Sequence, residues 1–143
     1  MPYRITEVDG EKHADEIEAF NGLFPDDFLP LQPKHFANGF WWLVHHDVKL
    51  IGFAGMVPFE PFPRVGYTKR QGVLKEHRRH GLQRQLMEAQ EQRARASTDW
   101  THLVSETSIE NIASSNNHFR AGFVLVEAER PWAEKTLFWR KAL

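Results

Sequence analysis

Residues 73–86 read Val73-Leu74-Lys75-Glu76-His77-Arg78-Arg79-His80-Gly81-Leu82-Gln83-Arg84-Gln85-Leu86, and the fold is decided by how this stretch is understood. A β-rich run from Gly66 to Leu74 passes through a basic turn and continues directly into residues Gly81 to Ala96. There Leu82, Leu86, Met87 and Ala89 or Ala94 share one side of an amphipathic helix that ends near Ser97-Thr98-Asp99. Strand, turn and helix in that order make an anion site, because free backbone N–H groups and the positive end of the helix dipole meet at the turn. Arg78, Arg79 and Arg84 add full charges, and Gly81 permits a tight turn with close approach of the backbone to a ligand. A pyrophosphate is the group such a turn would hold.

Working outward, Tyr3 to Val8 alternates as a first strand, and His13 to Phe20 places Ala14, Ile17 and Phe20 at helical spacing. Prolines at 25, 30 and 33 cut the stretch 21–38 into a loop with one or two short helical turns, anchored by Phe24, Phe28, Leu29 and Phe36. Gly39 to His45 and Leu50 to Val57 form a hairpin about the polar turn 46–49. Trp41 and Trp42 point to opposite faces of its first strand, and core positions are expected for both. Downstream, Trp100 to Val104 reads as strand five, Asn111 to Ala121 as a helix capped by Asn111 and stopped by Gly122, Phe123 to Val126 as strand six and Lys135 to Trp139 as strand seven. This alternation implies an α/β fold, a mixed sheet covered by helices, in one domain spanning residues 1–143.

Composition narrows the function classes. Eighteen basic against 19 acidic side chains give a formal charge of -1, so there is no global field for a polyanion and nucleic acid is not the expected partner. A domain that binds nucleic acid through Arg78, Arg79, Arg84 and Arg93 is the outlying alternative. No cysteine is present, which excludes disulfides, thiolate metal sites and a cysteine nucleophile. The eight histidines lack helical ligand spacing, and His45-His46 fall at a hairpin end, so no metal is expected. The N-terminal stretch has no signal-like apolar segment and no run approaches the roughly 20 apolar residues that span a bilayer, which predicts a cytoplasmic protein without a membrane partner.

Residues 78–83 resemble the acyl-CoA-binding signature of the GNAT (Gcn5-related N-acetyltransferase) family, Arg/Gln-x-x-Gly-x-Gly/Ala, with Arg78 and Gly81 in the first two places. Gln83 departs from the third, and Lys75 stands where the family often has proline. Asn111-Ile112-Ala113-Ser114 and His118-Phe119-Arg120-Ala121-Gly122-Phe123 are similar to the family's Asn-x-x-Ala/Ser and Tyr-x-x-x-Gly-Phe, and the hairpin matches its second and third strands.

The resemblance implies a mostly antiparallel sheet of six to seven strands, splayed between strands four and five, with helices on its flanks. It implies acetyl transfer from acetyl-CoA, as co-substrate, to a primary amine by direct attack in a ternary complex. The pantetheine arm would pair with backbone at Val73, Leu74 and Lys75, and the pyrophosphate would lie on the amides of Arg79, His80, Gly81, Leu82, Gln83 and Arg84, beside Arg78. Asn111 is a further candidate toward the cofactor arm. The N–H of Val73 or Leu74 would stabilise the oxyanion, Glu106 beyond strand five would be the base with Glu110 and Tyr67 as rivals, and either His118 or water would protonate the thiolate. The acceptor, a small-molecule or peptide amine, would be framed by segments 21–38 and 58–65 and the tail after strand six; there Asp26, Asp27, Phe24 and Phe28 could receive a cation, although solvated acids and packed aromatics are the simpler reading. A homodimer is expected only by analogy. The alternative within the same fold is a non-catalytic acyl-CoA-binding or regulatory module.

Overall fold

The computed structural model describes residues 2–24, 28–60, 62–127 and 135–143. Asp26 and Asp27 lie outside the described residues. In chain order the elements are β1 (Tyr3–Val8), α1 (Ala14–Asn21), α2 (Pro33–Asn38), β2 (Phe40–His46), β3 (Lys49–Pro58), β4 (Val65–Val73), a 3-10 turn (Lys75–His77), α3 (Leu82–Ser97), β5 (His102–Ser108), α4 (Ile112–Arg120), β6 (Val124–Val126) and β7 (Thr136–Ala142). The seven strands form one sheet in the order β1-β2-β3-β4-β5-β7-β6. β4 and β5 run parallel; β1–β2, β2–β3, β5–β7 and β6–β7 are antiparallel. Among the described residues no helix is long and apolar enough to cross a membrane.

The chain divides into two compact units, residues 1–57 with 69–82, and residues 58–68 with 83–143. In the first, the apolar runs of β2 and β3 pair from Phe40↔Met56 to Val44↔Gly52, a bulge shifts the register between Val44 and His45, and Asp47 makes the turn with a φ of 55°, a left-handed conformation that aspartate tolerates. Trp41 is fully buried and packs against backbone that has no side chains: a Cβ at Gly55 would lie 2.4 Å from its ring, and one at Gly10 2.5 Å. Its indole N–H is donated to the His35 carbonyl at 3.0 Å. Phe20, Phe24 and Phe28 gather around the buried Phe53 at centroid distances of 5.2, 6.1 and 5.9 Å, so these aromatics of the 21–38 segment and its preceding helix are core. Arg70 fastens the same segment to β4, donating to Asn21 Oδ1 (3.2 Å) and the Leu29 carbonyl (2.9 Å) under the Phe28 ring. Short helix α2 starts at Pro33 with a reciprocal cap between Gln32 and His35.

In the second unit, β4 meets β5 over Val65↔His102, Gly66↔Leu103 and Tyr67↔Val104. β7 then pairs with the whole of β5, from His102↔Ala142 to Ser108↔Thr136. Strand five is displaced from the expected Trp100–Val104. Thr98 uses its hydroxyl to close α3 on the Ala94 carbonyl and accepts from the Trp100 amide, so the helix exit consumes the first residues. The strand instead continues through Ser105-Glu106-Thr107-Ser108, a polar stretch whose alternate members Ser105 and Thr107 are buried. Trp100 lies where a Gly66 side chain would project, 2.2 Å from an ideal Cβ.

That contact predicts that Gly66→Val lowers stability by about 2 kcal/mol, because the added side chain overlaps the half-buried Trp100 ring, which must shift to admit it. Urea denaturation measures it, and an unchanged midpoint would contradict the packing described.

Candidate active site

The candidate anion-binding segment begins where β4 ends. Leu74 donates its N–H to the Ile51 carbonyl at 2.9 Å, which holds it to β3, and strand alternation therefore turns the Val73 N–H to the other edge. The Val73 carbonyl accepts from Arg78 Nε at 2.9 Å. After the 3-10 turn, Arg78 is extended (φ -73°, ψ 165°), Arg79 is left-handed (φ 68°) and so is Gly81 (φ 73°), and α3 starts at Leu82. A left-handed arginine is uncommon. Two changes of backbone hand within three residues, ahead of a 16-residue helix whose first N–H groups have no acceptor within the helix itself, form a concave nest suited to anions. Arg78, Arg79, His80, Gly81 and Arg84 are all exposed, Leu82 is buried, and a Cβ at Gly81 would meet nothing within 4 Å. The space in front of Gly81 is therefore open, while its φ favours glycine.

A buried polar network occupies the second unit. Asn111 caps α4, its Oδ1 accepting from the Ser114 N–H at 3.0 Å, as the sequence predicts. Gln83, the departure from the glycine signature, is half-buried and joins α3 to α4: its Nε2 donates to Ser114 Oγ (2.9 Å) and its Oε1 accepts from Asn117 Nδ2 (2.8 Å). His118 is 2% exposed and lies between Phe123 and Trp139, at 5.2 and 5.6 Å. Its Nδ1 is 2.8 Å from the Ser114 carbonyl, and its Nε2 is 2.7 Å from Ser105 Oγ. Burial lowers the His118 pKa below the ordinary histidine range, outweighing the opposite pull of the Ser114 carbonyl. The ring is thus neutral at neutral pH. A carbonyl oxygen can only accept, which assigns the single proton to Nδ1 and leaves Nε2 to accept from Ser105. Thr68 in turn donates to Ser105 Oγ at 2.6 Å. Beside this chain, Thr107 accepts from the Trp139 indole at 2.9 Å and bonds Ser115 at 3.2 Å.

The remaining candidates separate clearly. Glu106 lies inside β5, not beyond it, half-buried on the face opposite Ser105 and Thr107. Its rival Tyr67 belongs to that same face, since Tyr67 pairs with Val104, and its ring is 5.6 Å from Phe59. Glu110 is largely exposed and meets Lys135 at 3.7 Å, a surface pair of little energetic weight. Lys75 is exposed. The sequence reading passed over Thr68, Arg70 and Ser105; the signal was their inward parity in the alternation of β4 and β5, where an apolar residue is usual. It also passed over Tyr3, whose hydroxyl is 3.1 Å from His77 Nδ1 and whose ring lies near His46 and His80. Among the described residues, no group of three His, Cys, Asp or Glu is placed to hold a metal ion.

Comparison with known proteins bears on the whole of this arrangement. Solved structures that superpose over 99% of the chain include an acetyltransferase of the GNAT family from Streptococcus pneumoniae (19% identity, all of that chain, TM-score 0.76). They also include Arabidopsis thaliana NAA60 in complex with acetyl-CoA (11% identity, 99% of that chain, TM-score 0.78) and with a bisubstrate analogue (11%, 98%, 0.75). At such identities the likeness establishes the fold, a seven-stranded mixed sheet flanked by helices. No curated protein matches the sequence. The family model described as the acetyltransferase (GNAT) family matches residues 11–123, most of the chain. The basic nest ahead of α3, the capped α4 and this match together make the chain a member of the GNAT acetyltransferase family.

Proposed function

We propose that the chain, acting as one domain over residues 1–143, is a cytoplasmic N-acetyltransferase that moves the acetyl group of acetyl-CoA to a primary amine. The observation that carries this reading is the nest at Arg79 and Gly81 opening onto the start of α3, within a chain of this family. Its fit to acyl-CoA is chemical: the pyrophosphate would take the amides of residues 79–84, with Arg78, Arg79 and Arg84 supplying charge. Arg78 also secures the Val73 carbonyl, which couples the phosphate loop to the strand end. Acetyl-CoA as donor is favoured by the NAA60 complex, and that protein's bisubstrate analogue makes a peptide or small-molecule amine a reasonable acceptor class.

In the mechanism we favour, the amine attacks the thioester carbonyl directly. The Val73 N–H donates to the developing oxyanion, since Leu74 has already given its own to Ile51. Glu106 takes the amine proton, directly or through water. The departing thiolate receives its proton from water, because His118 has its one N–H committed to Ser114 and its other nitrogen occupied by Ser105. Asn111, whose side chain caps α4, contributes its position beside the arm. No metal enters these steps. The same engagement of His118 favours the second reading, an acyl-CoA-binding module without turnover.

Acetyl-CoA binding measured by calorimetry is the primary test. Micromolar binding is expected, weakened at least about tenfold by Gly81→Leu and by Arg78→Ala with Arg79→Ala; absence of binding to folded protein would sink the assignment. With an amine that is turned over, Glu106→Gln is expected to lower kcat/KM about a hundredfold while acetyl-CoA affinity holds. Binding without turnover of any amine identifies the module instead.

His118 carries a stability prediction. Its folded-state pKa is depressed, so below about pH 6.5 the unfolded chain takes up a proton that the folded ring resists. The stability it contributes is present above that pH and is lost as pH falls through the folded value. The urea midpoint should drop on acidification from about pH 7.5 to 5.5, and drop less in His118→Gln. Equal slopes for both proteins would contradict a buried neutral ring.

A further inference from the structure

We propose that His118 is a positioning residue: with Ser105 and Thr68 it forms a one-way hydrogen-bond latch that joins β5 to β4 just past their last backbone pair and so fixes Glu106, the next residue of β5. The inference rests on the transfer reading above for the role of Glu106, whereas the latch itself stands on geometry.

The ladder between β4 and β5 has three pairs, and the last is Tyr67↔Val104. Thr68 and Ser105 are the next residue of each strand. There the two side chains bond at 2.6 Å, continuing the attachment where the backbone pairs end. Ser105 Oγ is also 2.7 Å from His118 Nε2. Every proton in the series has one direction: Thr68 gives to Ser105, Ser105 to His118, and His118 Nδ1 to the Ser114 carbonyl. The carbonyl end sets that direction, because it has no proton to give. All four residues are buried, so an unmade bond in the series would leave a desolvated polar atom, which makes the arrangement stiff. Ser114 is itself tied on two sides, its N–H by Asn111 and its Oγ by Gln83. The latch is therefore anchored through α4 to the first turn of α3.

The chemistry separates positioning from proton transfer. A glutamine at 118 has an N–H to give Ser114 and an oxygen to accept from Ser105, yet it cannot relay a proton. Phenylalanine fills the space and makes neither bond.

The experiment compares wild type, His118→Gln, His118→Phe, Ser105→Ala and Thr68→Val for acetyl-CoA affinity and for kcat on an accepted amine. Expected is kcat within about threefold of wild type for His118→Gln and a loss of about tenfold or more for His118→Phe and Ser105→Ala. Acetyl-CoA affinity should stay unchanged throughout, and the pH profile of kcat in His118→Gln should keep its wild-type shape. Loss in His118→Gln equal to that in His118→Phe would overturn positioning in favour of proton transfer. Should wild type bind acetyl-CoA but acetylate no amine, the transfer reading fails and the Glu106 part of the inference with it. The latch is decided separately by the imidazole 15N spectrum of the intact protein. An Nδ1–H tautomer for His118 is expected; an Nε2–H tautomer would reverse the chain and overturn it.

Discussion

The hydroxyl that Ser105 gives to His118 Nε2, inside a core that excludes water, is the interaction around which α4 and strands β4, β5 and β7 are arranged. Burial of the His118 ring is compensated because both of its nitrogens are paired, and each pairing holds a neighbouring segment. Nδ1 takes the Ser114 carbonyl within α4, which keeps that helix turn in place. Nε2 takes β5 through Ser105, and Ser105 takes β4 through Thr68. Trp139 of β7 covers the ring and gives its indole proton to Thr107, two residues along β5 from Ser105. One neutral ring thus sets the spacing of a helix and three strands.

The basic turn between β4 and α3 obeys a different constraint, that of backbone hand. Arg79 holds a left-handed conformation at a cost of about 1 kcal/mol. The cost is met locally: Arg78 ties its guanidinium to the Val73 carbonyl, and the 3-10 turn fixes the approach. Gly81 takes the second left-handed step without strain. What results is a set of exposed amides and arginines whose geometry exists before any ligand arrives, so binding would order little. Gln83 explains the departure from the usual small residue at the start of the helix. Its amide group spans to Ser114 and Asn117, making the first turn of α3 a partner of α4. The position that elsewhere favours close approach serves here as a cross-link.

Much of this was legible from residues 1–143 because strand and helix periods are local properties of the chain. The hairpin about Asp47, the helix from Leu82, the Asn111 cap and the core positions of Trp41 and Trp42 all follow from side-chain spacing and turn chemistry. The order of strand, basic turn and helix followed in the same way, whereas the family came from the likeness of residues 78–83, 111–114 and 118–123 to its motifs, which the match over residues 11–123 bears out. Strand five was misplaced because its second half is polar, and polar residues at inward positions mimic a loop until their partners are known.

By itself, then, the sequence determined the order and type of elements and the basic turn ahead of α3, since each depends on residues close together in the chain, and its composition settled the lack of a cysteine side chain. Only the tertiary structure decided which amide at the end of β4 is already spent, what Gln83 does, and that His118 gives its proton to Ser114 rather than outward. The physical reason is that Ser114, 4 residues from His118, settles the proton only once folding has removed water from the ring and brought Ser105 and Thr68, partners 13 and 37 residues away from His118 and Ser105 along the chain, into the same buried series.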